Sequence, residues 1–117
     1  MKNRKASNEI EEIARQNLVT LAEAMLDGDL SFFEGAIEVL TLKEKVGGVV
    51  DRDPDFDAFL VIRSETDHLP LKSQHSLWSS ESLKYLEPEY LSAEEWAKSF
   101  APQACKNLIN RFKLLSE

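Results

Sequence analysis

Trp96, Phe100, Ala104, Leu108 and Phe112 recur at every fourth residue, with Cys105 and Ile109 beside them. Side chains four apart lie on one face of an α-helix, so this spacing writes an apolar stripe several turns long. Such a stripe is stable in water only when another apolar face covers it. Ile10, Ile13, Ala14, Leu18, Leu21 and Met25 form a second stripe of similar length near the other end of the chain. The two together predict a helical protein in which the first helix packs against the last.

The segments between them carry helix punctuation. Asn8 and Glu11 have capping-box spacing, which starts helix 1 near residue 8, runs it to about residue 27, and leaves residues 1–7 as a flexible basic tail. Asp27-Gly28-Asp29 stops that helix, glycine being free to take a positive φ. Ser31 and Glu34 repeat the capping pattern before Phe33, Ile37 and Leu40, and Gly47-Gly48 closes the second helix. For residues 53–67 two readings compete. VGGVV and FLVI permit a pair of strands, but two strands alone are marginal in water, and no third is available. The helix has the better local chemistry: Asp53 as cap, Pro54 at the first position, Asp55 against the dipole, Leu69-Pro70 as terminator. Ser79 or Ser80 opens a short helical segment to about Leu86, and Glu87-Pro88 opens a longer one. The last stripe keeps phase across Pro102, which predicts a long helix kinked there or two nearly collinear ones. The expectation is one all-α domain over residues 1–117, with four or five helices.

A chain of 117 residues with 43% hydrophobic content can bury one core without metal or disulfide staples. Cys105 is the single cysteine, so no intrachain disulfide can form, and a lone thiol suits the cytoplasm. No apolar run approaches a membrane span, and the basic start is not followed by the apolar stretch of a secretory signal. Fourteen basic against twenty-one acidic residues give a net charge of −7, which disfavours nucleic acid and membrane surfaces and favours a protein partner with a basic surface.

Residues 59–71, FLVIRSETDHLPL, are the most chemically loaded stretch. Arg63, Glu65, Asp67 and His68 form a polar cluster that could bind a ligand, perform acid–base work, or hold structure together. Glu65 and Asp67 sit where the negative end of a helix dipole disfavours acids, and a broken local rule points to a functional site or to distant basic partners. Arg15 and Arg111 are the arginines best placed to serve as buried partners. The alternating aspartates of DRDPDFD resemble a calcium loop, but Phe56 stands where the turn needs glycine and Ile62 where a bidentate glutamate closes the site. His68 and His75 have no recognised metal-ligand spacing, Cys105 reads as core, and Gly47-Gly48 lacks the lysine of a phosphate loop. No catalytic residue, metal ligand or cofactor is assigned. Asp51, Asp55 and Asp57 are the candidate partner-binding acids, Asp53 being reserved as a cap.

SETDHLP, Trp78 eight residues after Pro70, and ACKNLI on the last helix together resemble a family of small bacterial cytosolic proteins of uncharacterised activity. The likeness spans about residues 55–112. Its carriers are Ser64, Glu65, Thr66, Asp67, Leu69, Pro70, Trp78, Ala104, Cys105, Leu108 and Ile109. It implies a helical fold in which SETDHLP marks the end of the third helix. Function is expected to rest on association, as an immunity-type inhibitor or adaptor covering a basic partner. The alternative is an enzyme or small-ligand binder using Glu65, Asp67 and His68; a concave site holding all three would favour it, a flat acidic surface from Asp51 to Asp57 would favour association.

Overall fold

The computed structural model describes residues 2–116, with side chains from 9 to 113. It is all-helical: α1 (Lys2–Asp27), α2 (Phe32–Val46), α3 (Pro54–Glu65), a 3-10 turn η1 (Lys72–Leu77), α4 (Ser80–Ala97) and α5 (Ala101–Ser116). Residues 53–67 are a helix and its caps, with no strand among the described residues.

The two long stripes do meet. α5 packs most extensively on α1, α2 lies against α1 and α3, and α3 reaches α5, so four helices share one core. Leu18, Ala22, Val39, Phe56, Phe59 and Leu108 are wholly enclosed there. At about 1.5–3 kcal/mol per large apolar side chain, this burial is the main term opposing chain entropy. Gly35, inside α2, lets that helix sit close against α1: a Cβ there would collide with the Met25 side chain.

Local chemistry sets the boundaries. Gly28, at φ 84°, ends α1 in a Schellman motif, with Asp29 N–H donating to the Ala24 carbonyl at 2.9 Å and Gly28 N–H to Met25 at 3.3 Å. The Ser31 hydroxyl accepts from Glu34 N–H at 3.0 Å. Glu34 does not complete the capping box; its carboxylate accepts from Lys72 N–H at 3.1 Å instead. At the other end of α2, Arg15 donates to the Val46 carbonyl at 2.9 Å, a cation at a helix C-terminus.

Three expectations need correction, and the choice left open at Pro102 falls to two helices. α1 begins at Lys2, so of the residues read as a tail 2–7 continue the helix, and Asn8 lies inside it. Ile10 and Ile13 are more than half exposed although Ala14 is buried; Ile13 lies off the face of α1 that Ala14, Leu18 and Met25 bury. α4 passes straight through Pro88. Proline there denies the Lys84 carbonyl its helical partner, but Lys84, Glu87, Pro88 and Glu89 are all exposed, so water takes that carbonyl. The C-terminal stripe is divided between two helices: residues 98–100 form a turn, and Pro102 falls in the first turn of α5, where its missing N–H costs nothing. The stripe changes character across that turn, from buried Ala104, Leu108 and Phe112, through half-buried Phe100, to Trp96 at 38% exposure.

Candidate functional site

The two acidic regions singled out in the sequence sit at opposite ends of α3. At its start Asp53 is the N-cap, accepting from Asp55 N–H at 3.0 Å and Phe56 N–H at 3.4 Å. Arg111 on α5 grips the same carboxylate with both terminal nitrogens, each at 2.9 Å, and Nη1 also reaches Asp55 at 2.9 Å. One turn back on α5, the Asn107 amide donates to the other Asp55 oxygen at 2.9 Å. The guanidinium lies 5.1 Å from the Phe112 ring centre and 5.9 Å from that of Phe56. Burial by itself would raise the Asp53 pKa; the Arg111 hydrogen bond and charge, with the two helix N–H bonds, outweigh it and hold the carboxyl below the usual range. The same hydrogen bond raises the Arg111 pKa against the opposing effect of burial.

Of the candidate partner-binding acids, Asp55 is therefore engaged inside the chain. Asp57 pairs with Arg52 at 3.1 Å, and only Asp51 points its carboxylate to solvent without such a partner, its carbonyl accepting from Lys43 at 2.8 Å. Arg111 is thus a partner of the helix start, not of Glu65 and Asp67, and Arg15 pairs with Glu11 at 3.8 Å.

At the far end of α3, SETDHLP divides cleanly. Thr66 is buried as the C-cap; its hydroxyl donates to the Ile62 carbonyl at 2.6 Å, and its own carbonyl accepts from Leu69 N–H at 3.0 Å. Leu69 and Pro70 are buried beneath the turn. Ser64, Glu65, Asp67 and His68 face outward. Glu65 and Asp67 make no hydrogen bond or ion pair among the described residues, and water meets the cost of their place near the dipole's negative end. Arg63 is half-buried in a different hollow, on the α2 side with Ile37, Leu40 and Glu44, and forms no ion pair with Asp67. His68 Nε2 stands 3.5 Å from a Glu89 oxygen, both side chains about half exposed. Glu65, His68 and Glu89 rim a groove of about 290 Å³ over Thr66, Leu69 and Ala93; Asp67 is not part of it. The three-residue constellation is therefore split, with Glu65 and His68 together and Asp67 apart.

The wall of that groove is α4, which sequence reasoning treated as scaffold. Among its side chains only Ala97 is fully buried. Besides Glu89, two of its side chains pin it through hydrogen bonds. Glu94 accepts from the N–H groups of Phe32 and Phe33, both at 3.0 Å, capping α2 from a distance, and the Tyr90 hydroxyl donates to the Pro70 carbonyl. Burial, then the charge of Glu34, raises the Tyr90 pKa. Beyond these pins Leu77, Trp78, Tyr85, Leu91 and Trp96 are exposed. The usable sequence signal was compositional: a helix with two tyrosines and a tryptophan but no continuous apolar stripe. A cap supplied from 62 residues away leaves no local trace.

Cys105 is wholly buried, and its surroundings push the thiol pKa up to about 12, so it is core. Among the described residues no three His, Cys, Asp or Glu side chains converge to hold a metal ion, and no helix is long and apolar enough to cross a membrane.

A family described as a protein of unknown function, DUF2489, matches residues 1–108, from the start of α1 into α5. The chain belongs to that family. The match reaches well before the motifs of residues 55–112 that carried the looser resemblance, taking in α1 and α2, and it stops short of Arg111. No curated protein and no solved structure matches the chain.

Proposed function

We propose that this DUF2489 protein acts by associating with another protein, one that presents a basic surface, and does so in the cytoplasm as an immunity-type inhibitor or an adaptor. The observation that carries the reading is the exposure of η1 and α4: an eighteen-residue helix and the turn before it display two tryptophans, a tyrosine and two leucines while fully burying one alanine. Exposed aromatic side chains are costly to leave in water and are the residue type most used to anchor protein interfaces. The net charge of −7 selects a basic partner and speeds its encounter. Asp51 remains available to such a partner at the edge of the body, whereas Asp55 and Asp57 have internal commitments.

The groove holding Glu65 and His68 supports a second reading, a small cationic ligand bound or transformed there. Its half-exposed histidine and open rim leave any reacting group in contact with water, which weakens acid–base chemistry. To separate the readings, immobilised full-length chain is used to capture proteins at low and high salt, and each captured protein is tested purified, as a binary complex. The association reading expects a stoichiometric complex that weakens as salt rises. It fails if no captured protein reconstitutes while small organic cations stabilise the chain saturably and Glu65→Gln abolishes that stabilisation.

A further inference from the structure

We propose that the flank of α4 from Tyr85 to Trp96, with the end of α3, is a docking groove for an arginine-bearing extended segment of a partner protein. This rests on the association reading above and names its surface and partner chemistry. Tyr85, Glu89, Ser92 and Trp96 stand at i, i+4, i+7 and i+11, one stripe of the helix, and all four are exposed. Eleven residues of helix span roughly 16 Å, the length of about five residues of extended chain. The middle of the stripe is the groove of about 290 Å³ rimmed by Glu65 and Glu89. At the Tyr85 end lies a second hollow of about 300 Å³, beside Trp78.

The chemistry of this strip selects its occupant. Glu65 has no internal partner among the described residues, and Glu89 meets only His68. A guanidinium satisfies a carboxylate with two parallel N–H bonds, stacks on aromatic faces, and gives up its water more readily than an ammonium. Aromatics at both ends with carboxylates between them therefore suit arginine above any other side chain. An extended segment places alternate side chains on the groove, and a hollow of this size accepts a side chain or two, not a helix about 10 Å across. A second copy is disfavoured, because a two-fold contact through this flank brings one acidic strip against the same acidic strip of the other copy. Phosphate-rich ligands meet the same carboxylates and are repelled.

The test is an amide and indole chemical-shift titration of the isotope-labelled full chain with the blocked peptide Arg-Ala-Arg-Ala-Arg, and with its lysine counterpart. Expected are shifts concentrated at residues 65–69 and 85–96 and at the indoles of Trp78 and Trp96, weaker binding of the lysine peptide, and a loss of about tenfold or more in the Glu65→Gln/Glu89→Gln double variant. Both substitutions are at exposed positions, and an unchanged unfolding midpoint confirms the variant is folded. Shifts centred on Asp51–Asp57 would overturn this groove while leaving association intact. Equal affinity for both peptides, or a double variant that binds like the parent, would overturn the arginine assignment. A chain that dimerises through α4 without peptide would overturn it in favour of self-association. Absence of any shift at millimolar peptide would remove the groove altogether, and the binary-complex experiment would then decide the association reading alone.

Discussion

α3 carries acidic side chains at both ends, and the two ends use them in opposite ways. At the start, Asp53 and Asp55 face the positive end of the helix dipole, and Arg111 and Asn107 reach across from α5 to bind them. At the finish, Glu65 and Asp67 face the negative end, with no basic group among the described residues drawn to them. The first pair is tied into the tertiary structure; the second is held out in water beside the groove of α4. Identical chemistry thus becomes structure or surface according to whether a neighbouring helix delivers an arginine.

The contrast can be broken most forcefully beneath the Arg111 clamp. Phe56 is wholly buried there, its ring edge-on to Phe112 at 6.1 Å and under the guanidinium. Phe56→Ala is expected to lower stability by about 3–5 kcal/mol in chemical denaturation, since it removes the packing that seats both the helix start and the clamp. A loss below about 1 kcal/mol would show that the α3–α5 junction is loosely packed. Next comes the clamp itself. Asp53→Ala removes a helix cap and the main anchor of Arg111 together, and on the order of 2 kcal/mol is expected, the partial exposure of Arg111 moderating the ionic part. Arg111→Ala combined with Asp53→Ala should cost less than the two singles added. Strict additivity would deny that the two residues act as one unit.

Acid sharpens the same point with a smaller effect. Folding lowers the Asp53 pKa, so the folded chain holds that proton less tightly than the unfolded chain. Its contribution is whole above the unfolded carboxyl value, about 4, and is lost as pH falls through the lower folded value. Denaturation midpoints measured between pH 6 and pH 3 should fall for the parent, and fall less for Asp53→Asn. Parallel curves would remove Asp53 from the acid response.

What the sequence reveals follows the range of each interaction. Ser31 and Asp53 were legible as caps because cap and donor are three residues apart, and the α1 and α5 stripes were legible because a helix repeats its face. Leu69-Pro70 was legible as a terminator because a helix end is a local event, whereas Thr66, the cap itself, was not assigned from the sequence. Pairing across the core was not: Arg111 was recognised as a partner, but sequence spacing could not show which end of α3 it faces. Pro88 misled because a proline inside a helix is penalised for its lost hydrogen bond, and exposure of the Lys84 turn reduces that penalty. The groove escaped because one wall comes from α3 and the other from α4, some twenty residues on, and composition alone does not say that α4 leaves its aromatics uncovered.

The smallest expected effect is the most discriminating. Buried arginines opposite Glu65 and Asp67, as expected from the sequence, would make neutralising the two cost several kcal/mol, as for any buried charge deprived of its partner. The geometry implies the reverse: both carboxylates are exposed, neither is paired among the described residues, and both lie at the negative end of the α3 dipole. Glu65→Gln with Asp67→Asn should therefore leave stability within about 0.5 kcal/mol of the parent, with any change upward at low ionic strength and fading as salt screens the dipole. Thr66→Val is the internal control, because it keeps the shape of the buried cap and deletes only the hydroxyl that serves the Ile62 carbonyl; a loss of about 1 kcal/mol is expected. If the neutralised pair melts well below the parent while Thr66→Val does not, the assignment of roles within SETDHLP is inverted, and Glu65 and Asp67 hold the helix end instead of facing solvent.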